Sequence, residues 1–249
     1  MRQLGEKIKP TKGFSHFLHI MLKGLLPALL FLFVRIHFYQ VAFALILLSK
    51  WRMFAVKPRH WPANLRANGV DIIVGLSFLI FMIHSGSQLF QLGWAVLYAI
   101  WLIWLKPKSS LLGVSVQALA AQLLGLTALL LNWGGAASWA LILCTWLICY
   151  AAARHFFANF EEPLTRFLAY TWAYTSAALM WVTSHWLVYY GYIAQPALLL
   201  SVVATGLGSI YYLYKNDQMS VLLRRQIIFV MIAVVVIMLT FSQWGDKNI

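Results

Sequence analysis

From residue 24 onward the chain alternates long apolar runs with short polar intervals. Apolar runs at 70–84, 89–105, 111–131, 138–153, 167–190, 196–214 and 227–241 predict seven helices. Most approach the ~20 residues that a helix needs to cross a hydrocarbon core. No run alternates with a period of two, so barrel strands are not indicated. Only helices and closed barrels satisfy backbone polar groups in lipid, so the expected fold is an all-α, polytopic transmembrane helix bundle. With an N-terminal element added, it has about eight spans.

That N-terminal element is ambiguous. Residues 24–49 are apolar except for Arg35, His37 and Gln40 near the middle. Arginine at mid-bilayer costs about 3 kcal/mol or more unless it snorkels, pairs or faces water. Two crossings would put Arg35 to Gln40 at a far turn, yet FVRIHFYQVA holds no Gly, Pro or Asn to make one. A single span, a hairpin and a re-entrant pair therefore stay open, the second and third slightly favoured. Arg35 is kept as a candidate for a polar path. Residues 1–23 read as a basic lead-in with Arg2, Lys7, Lys9 and Lys12, then an amphipathic interfacial helix with Phe14, Phe17, Leu18, Met21 and Leu22 on one stripe. Residues 24–249 form a single transmembrane helical domain.

The interval 50–69 orients the rest. It carries Lys50, Arg52, Lys57, Arg59 and Arg66, with Pro58 and Pro62 read as breaks, and Asn68 as the cap of a helix that has Asp71 in its first turn. Short loops rich in Lys and Arg stay cytoplasmic. Twelve Lys and Arg fall in this loop and in those near residues 107, 160 and 220, against Lys247 alone in the opposite set. The expectation is a multi-pass protein of the cell membrane, basic loops cytoplasmic and C-terminus outside.

Composition sharpens this. The 62% hydrophobic and 10% charged content is outside the globular range of about 45–50% and about 25%. A net charge of +13 would suggest nucleic acid in a soluble protein; here the cations alternate with apolar runs, so the expected partners are the bilayer and anionic lipids at the cytoplasmic face, with a membrane protein partner open and no nucleic acid. Cys144 and Cys149 lie five apart inside one run, which makes neither a redox pair nor a disulfide framework.

Small or polar residues recur every four positions at Gly113, Gln117, Ala121 and Gly125, at Ala169, Ala173 and Ala177, and at Ser201, Thr205 and Ser209. Such stripes let helices approach closely, so 111–131, 167–190 and 196–214 are expected at the bundle centre. Gln117, Gln122, Thr205 and Ser209 on these helices are candidates for a substrate path. Arg154, His155, Glu161, Glu162 and Arg166 form the one block where acids, a base and a histidine meet. A Glu–His pair there would suit proton transfer, while Glu162 before Pro163 also suits a plain helix start. His84 and His185 end two spans on the same side and are candidate cofactor ligands, although no metal motif or cofactor is otherwise indicated.

Apart from Asp71, no carboxylate lies within the predicted spans, which disfavours proton- or cation-coupled transport. Three functional expectations follow. The first is a transport-type or accessory membrane subunit, the second a membrane enzyme acting on a lipid or polyprenyl substrate, the third a structural or assembly factor.

Overall fold

A computed structural model describes residues 14–186, 188–191 and 193–241, the side chains of 14–20, 52 and 189 excepted. The basic lead-in and the segment that carries Trp244 and Lys247 lie outside what is described, as do the side chains of the stripe residues Phe14, Phe17 and Leu18. The protein is an all-α bundle. Nine α-helices are found among the described residues: α1 Phe14–Arg35, α2 Tyr39–Leu48, α3 Trp61–His84, α4 Gln88–Ile100, α5 Leu111–Trp133, α6 Ser138–Ala158, α7 Thr165–Thr183, α8 Gln195–Lys215 and α9 Val221–Thr240. Six helical runs are long and apolar enough to cross a membrane: 58–84, 88–105, α5, α6, α8 and α9. The chain is a helical multi-pass membrane protein.

Helix α7 is not among the six, because Thr165, Thr171, Thr175, two tyrosines and two tryptophans dilute its apolar content. It nevertheless runs beside the others, since Met180 in its last turn packs with Leu126 and Leu130 of α5, Leu141 of α6 and Leu200 of α8. The predicted helix to residue 190 stops at Thr183. There Thr183 Oγ1 donates to Leu179 O at 2.7 Å, Ser184 Oγ to Trp181 O at 3.0 Å, and His185 Nδ1 lies 2.9 Å from the same carbonyl. Trp181 O, which the next turn of α-helix would have used, is thus taken by side chains, and the chain tightens into a 3-10 turn over Ser184–Trp186. A two-residue antiparallel ladder, Tyr189–Tyr190 against Ile193–Ala194, then turns at Gly191 with φ +63° and leads into α8.

The N-terminal element forms two unequal helices that fold back on each other. His37 adopts φ +61°, and the Phe38 and His37 amides donate to Phe33 O and Val34 O at 2.9 and 3.1 Å. This is a Schellman ending with histidine where glycine is usual, so the absence of Gly, Pro and Asn did not prevent the turn. With ten residues α2 is about 15 Å long, half of a hydrocarbon core. Arg35 sits exposed at the turn.

Pro58 and Pro62 start helical structure where the sequence suggested breaks. Pro58 opens a 3-10 turn over Pro58–His60, and Pro62 lies in the first turn of α3, where its missing N–H has no acceptor to lose. Helix α3 therefore begins at Trp61, Asn68 is internal and donates to Asn64 O at 2.9 Å, and Asp71 is ten residues past the first position.

Helix α5 is the common wall of the bundle. One side meets α3, where Ala121 and Ala128 join a core with Val74, Phe78, Met82 and Tyr98, and the other side carries Leu126 and Leu130 into a core with α6, α7 and α8. A Cβ on Gly125 would lie 2.6 Å from Ile73 and 3.0 Å from Ile148, so α3, α5 and α6 approach there as glycine alone permits. Ala169 and Ala173 are fully buried, as their spacing suggested. The outlying helix is α9, which packs on α8 and has only 6% of its apolar window buried.

Candidate functional site

The most densely charged buried point joins α2, α3 and α4. Lys50 follows α2 and is 8% exposed; Asp71 is buried on α3; Lys106 follows α4. Both ammoniums reach Asp71 Oδ2, Lys106 at 2.5 Å, and Trp101 Nε1 donates to Oδ1 at 3.4 Å. The convergence depends on a π turn over Trp101–Leu105, closed by the Lys106 amide on Trp101 O at 2.8 Å. In an α-helix, residues five apart point about 140° apart, whereas the wider turn stacks Lys106 over Trp101. Burial holds the Lys50 ammonium below the ordinary lysine value, although Asp71 beside it pulls the other way.

The block around residues 154–166 disperses into separate contacts. Arg154 donates to the Tyr150 hydroxyl at 2.6 Å and lies over its ring. His155 Nε2 is 3.1 Å from Gln117 Oε1, while Gln117 Nε2 donates to Leu105 O at 2.6 Å and Lys108 O at 3.0 Å. Gln117 thus ties the α4–α5 connection to α6, a structural duty for a residue considered for a path. Glu162 turns away from the start of α7 and accepts from the Tyr211 hydroxyl and, at 2.8 Å, from Lys215. Hydrogen bonds from Lys215 and Tyr211 hold its carboxyl below the usual range. Glu161, with φ +51°, and Arg166 are exposed.

Next to the Glu162 contact, a partly open cavity of about 370 Å³ lies between α5, α6, α7 and α8. Its floor is Ala118, Leu119 and Gln122 of α5; its walls are Ala152, Ala153, Phe156 and Phe157 of α6, Leu168 and Trp172 of α7, and Ala204, Leu207, Gly208, Ile210, Tyr211 and Tyr214 of α8. From Ala204 to Tyr214 is about 15 Å along the helix. Three of the four polar side chains on its lining are engaged: Gln122 donates to Leu200 O at 3.1 Å and accepts from Trp172 Nε1 at 3.0 Å, and Tyr211 serves Glu162, while Tyr214 is exposed. What remains is a hydrocarbon and aromatic surface.

Other candidates fall elsewhere. Thr205 and Ser209 line a separate groove between α8 and α9, and Thr205 Oγ1 donates to Ser201 O at 2.7 Å, so the four candidate path residues do not form one seam. His84 Nδ1 lies 3.0 Å from Ile80 O and His185 bonds to Trp181 O, each ring at a carbonyl of its own helix. Among the described residues no three His, Cys, Asp or Glu side chains group as a metal site. The Lys50–Asp71–Lys106 cluster and the Tyr211–Glu162–Lys215 contact were missed from the sequence. One signal was available for the first: Asp71 is the sole carboxylate between residues 7 and 160. No family model, curated protein or solved structure matches the chain.

Proposed function

We propose that this chain is a cell-membrane subunit that holds the hydrocarbon chain of a lipid or polyprenyl compound in the cavity between α5, α6, α7 and α8, with its basic loops cytoplasmic and the end of α9 outside. The carrying observation is the cavity itself, partly open, about 370 Å³ in size and lined almost wholly by apolar and aromatic side chains, with Gln122, Trp172 and Tyr211 already hydrogen-bonded. Such a surface gains nothing from water and matches an alkyl or isoprenoid chain. The orientation draws support from the twelve cations on one set of loops, and from Lys50 and Lys106, which can share a carboxylate only if their loops lie at the same end. An enzyme working on the same kind of compound draws less support, because Arg154, His155, Glu161, Glu162 and Arg166 point to different partners. Transport along Gln117, Gln122, Thr205 and Ser209 is likewise weakened by their separation.

Filling the cavity tests the reading. A Cβ on Gly208 meets nothing closer than Leu119 at 3.7 Å, so Gly208→Phe projects its ring into the cavity without a backbone clash. The expected result is that the purified variant keeps its thermal midpoint within about 2 °C, a surface-like change, while co-purifying lipid and photo-crosslinking of a diazirine-tailed lipid to Phe157 and Leu207 fall severalfold. Unchanged crosslinking there would remove the proposal.

A further inference from the structure

The charge count at Asp71 does not balance. Lys50 and Lys106 share one carboxylate oxygen, and Lys23 of α1 is near enough to Lys106 for the two to repel. No second acid is available, since the other carboxylates among the described residues are Glu161, Glu162 and Asp217, in the connections on either side of α7 and α8. Two like charges brought together on a single counter-charge leave one surplus positive charge, shared between the buried Lys50 and the partly exposed Lys106. Lys50 is more than nine-tenths buried, and among the described residues its ammonium donates to Asp71 alone, leaving two of its three N–H groups without a protein acceptor.

Beside these N–H groups lies a cavity of about 330 Å³, lined by Ser49, Lys50, Met53, Asn64, Asn68 and Lys106. Its character is opposite to that of the apolar cavity: every lining residue except Met53 carries a polar side chain. It sits where α3 extends about 15 Å beyond the end of α4, below the exposed first turns that hold Trp61 and Arg66. The size suits a small anion or a headgroup, and paired ammoniums bind a phosphate as point charges from two directions.

We infer that the cavity between Lys50, Lys106, Asn64 and Asn68 is a binding site for a phosphate-bearing anion, whose charge completes the Lys50–Asp71–Lys106 cluster. The phosphate belongs either to a membrane phospholipid or to a soluble molecule, and both present the same oxygens to the lysines. The site lies apart from the apolar cavity, so its failure would leave the hydrocarbon-chain reading standing, and the reverse.

The test titrates the full chain, in a zwitterionic detergent, with short-chain phosphatidylglycerol, with short-chain phosphatidylcholine and with inorganic phosphate, read by thermal midpoint and native mass spectrometry. Phosphatidylglycerol alone raising the midpoint identifies a lipid headgroup site; inorganic phosphate doing so as well identifies a general phosphate site. Lys106→Gln keeps the Lys50–Asp71 pair intact and should weaken binding about tenfold, the loss of one charge-assisted contact. Lys108→Gln, two residues on and exposed, should leave it within about twofold. Should Lys106→Gln fail to fold, Lys23→Gln carries the same comparison and should weaken binding about threefold. The inference is overturned by no response to either phosphate source, or by equal losses in the Lys106 or Lys23 variant and in Lys108→Gln.

Discussion

Two acid–base clusters at the same end of this bundle make opposite use of similar side chains. At Asp71, one buried carboxylate serves two lysines and a tryptophan N–H, inside the packing of α3 against α2 and α4. At Glu162, a carboxylate in a connection serves one lysine and one tyrosine from the end of α8. The two carboxylates are similarly covered, 11% and 15% exposed, and the difference lies in their lysines. Lys50 at 8% has given up its water and depends on Asp71, whereas Lys215 at 38% keeps solvent as an alternative partner. Burial, more than the identity of the charges, sets what each is worth.

The largest expected effect breaks the buried member. Asp71→Asn leaves Lys50 charged and uncompensated, and should lower stability in detergent by about 3–5 kcal/mol in a denaturant titration followed by circular dichroism. The double change Lys50→Met with Asp71→Leu should recover most of that loss, because Lys106 is 39% exposed and can turn to water. No recovery would mean that the cluster does more than neutralise Lys50.

Next in size is α5, the wall between the two cores. Gly125→Val drives a side chain into Ile73 and Ile148 from 2.6 and 3.0 Å and should cost about 1–3 kcal/mol, with α3 and α6 both loosened in hydrogen exchange. A smaller effect attends Gln122→Leu, which breaks one bond to α7 and one to α8; interhelical bonds in membranes are each worth about 0.6 kcal/mol.

The smallest belongs to Glu162. Its carboxyl titrates below the ordinary value in the folded protein, held there by Lys215 and Tyr211. A group depressed in this way stabilises fully above its unfolded pKa, near 4.5, and loses that contribution as pH falls through the lower folded value. Glu162→Gln should therefore shift the thermal midpoint slightly at pH 7 and by less at pH 3. An equal shift at both would show that the contact is steric and not ionic. Added salt should erase the pH 7 difference and leave the Asp71→Asn effect largely intact.

The membrane class, the helical fold and most helix centres were legible in the order of residues, because hydropathy is a property of a stretch and needs no knowledge of its neighbours. The same holds for the close approach at Gly125 and the buried alanines of α7. Helix ends were less legible. Pro58 and Pro62 read as breakers until their place in a first turn was known, and His37 took a left-handed conformation that its chemistry does not advertise. The candidate sites were the least legible. Lys50 and Asp71 are 21 positions apart, and Asp71 and Lys106 are 35. Glu162 and Tyr211 are 49 apart, across the whole of α7 and most of α8. Proximity along the chain grouped Arg154, His155, Glu161, Glu162 and Arg166, and the fold sent them to different partners. Which charges meet depends on how far each helix slides along its neighbour and on a π turn that rotates Lys106 toward α3. Those displacements are settled by packing among helices, where each element's environment is made by others.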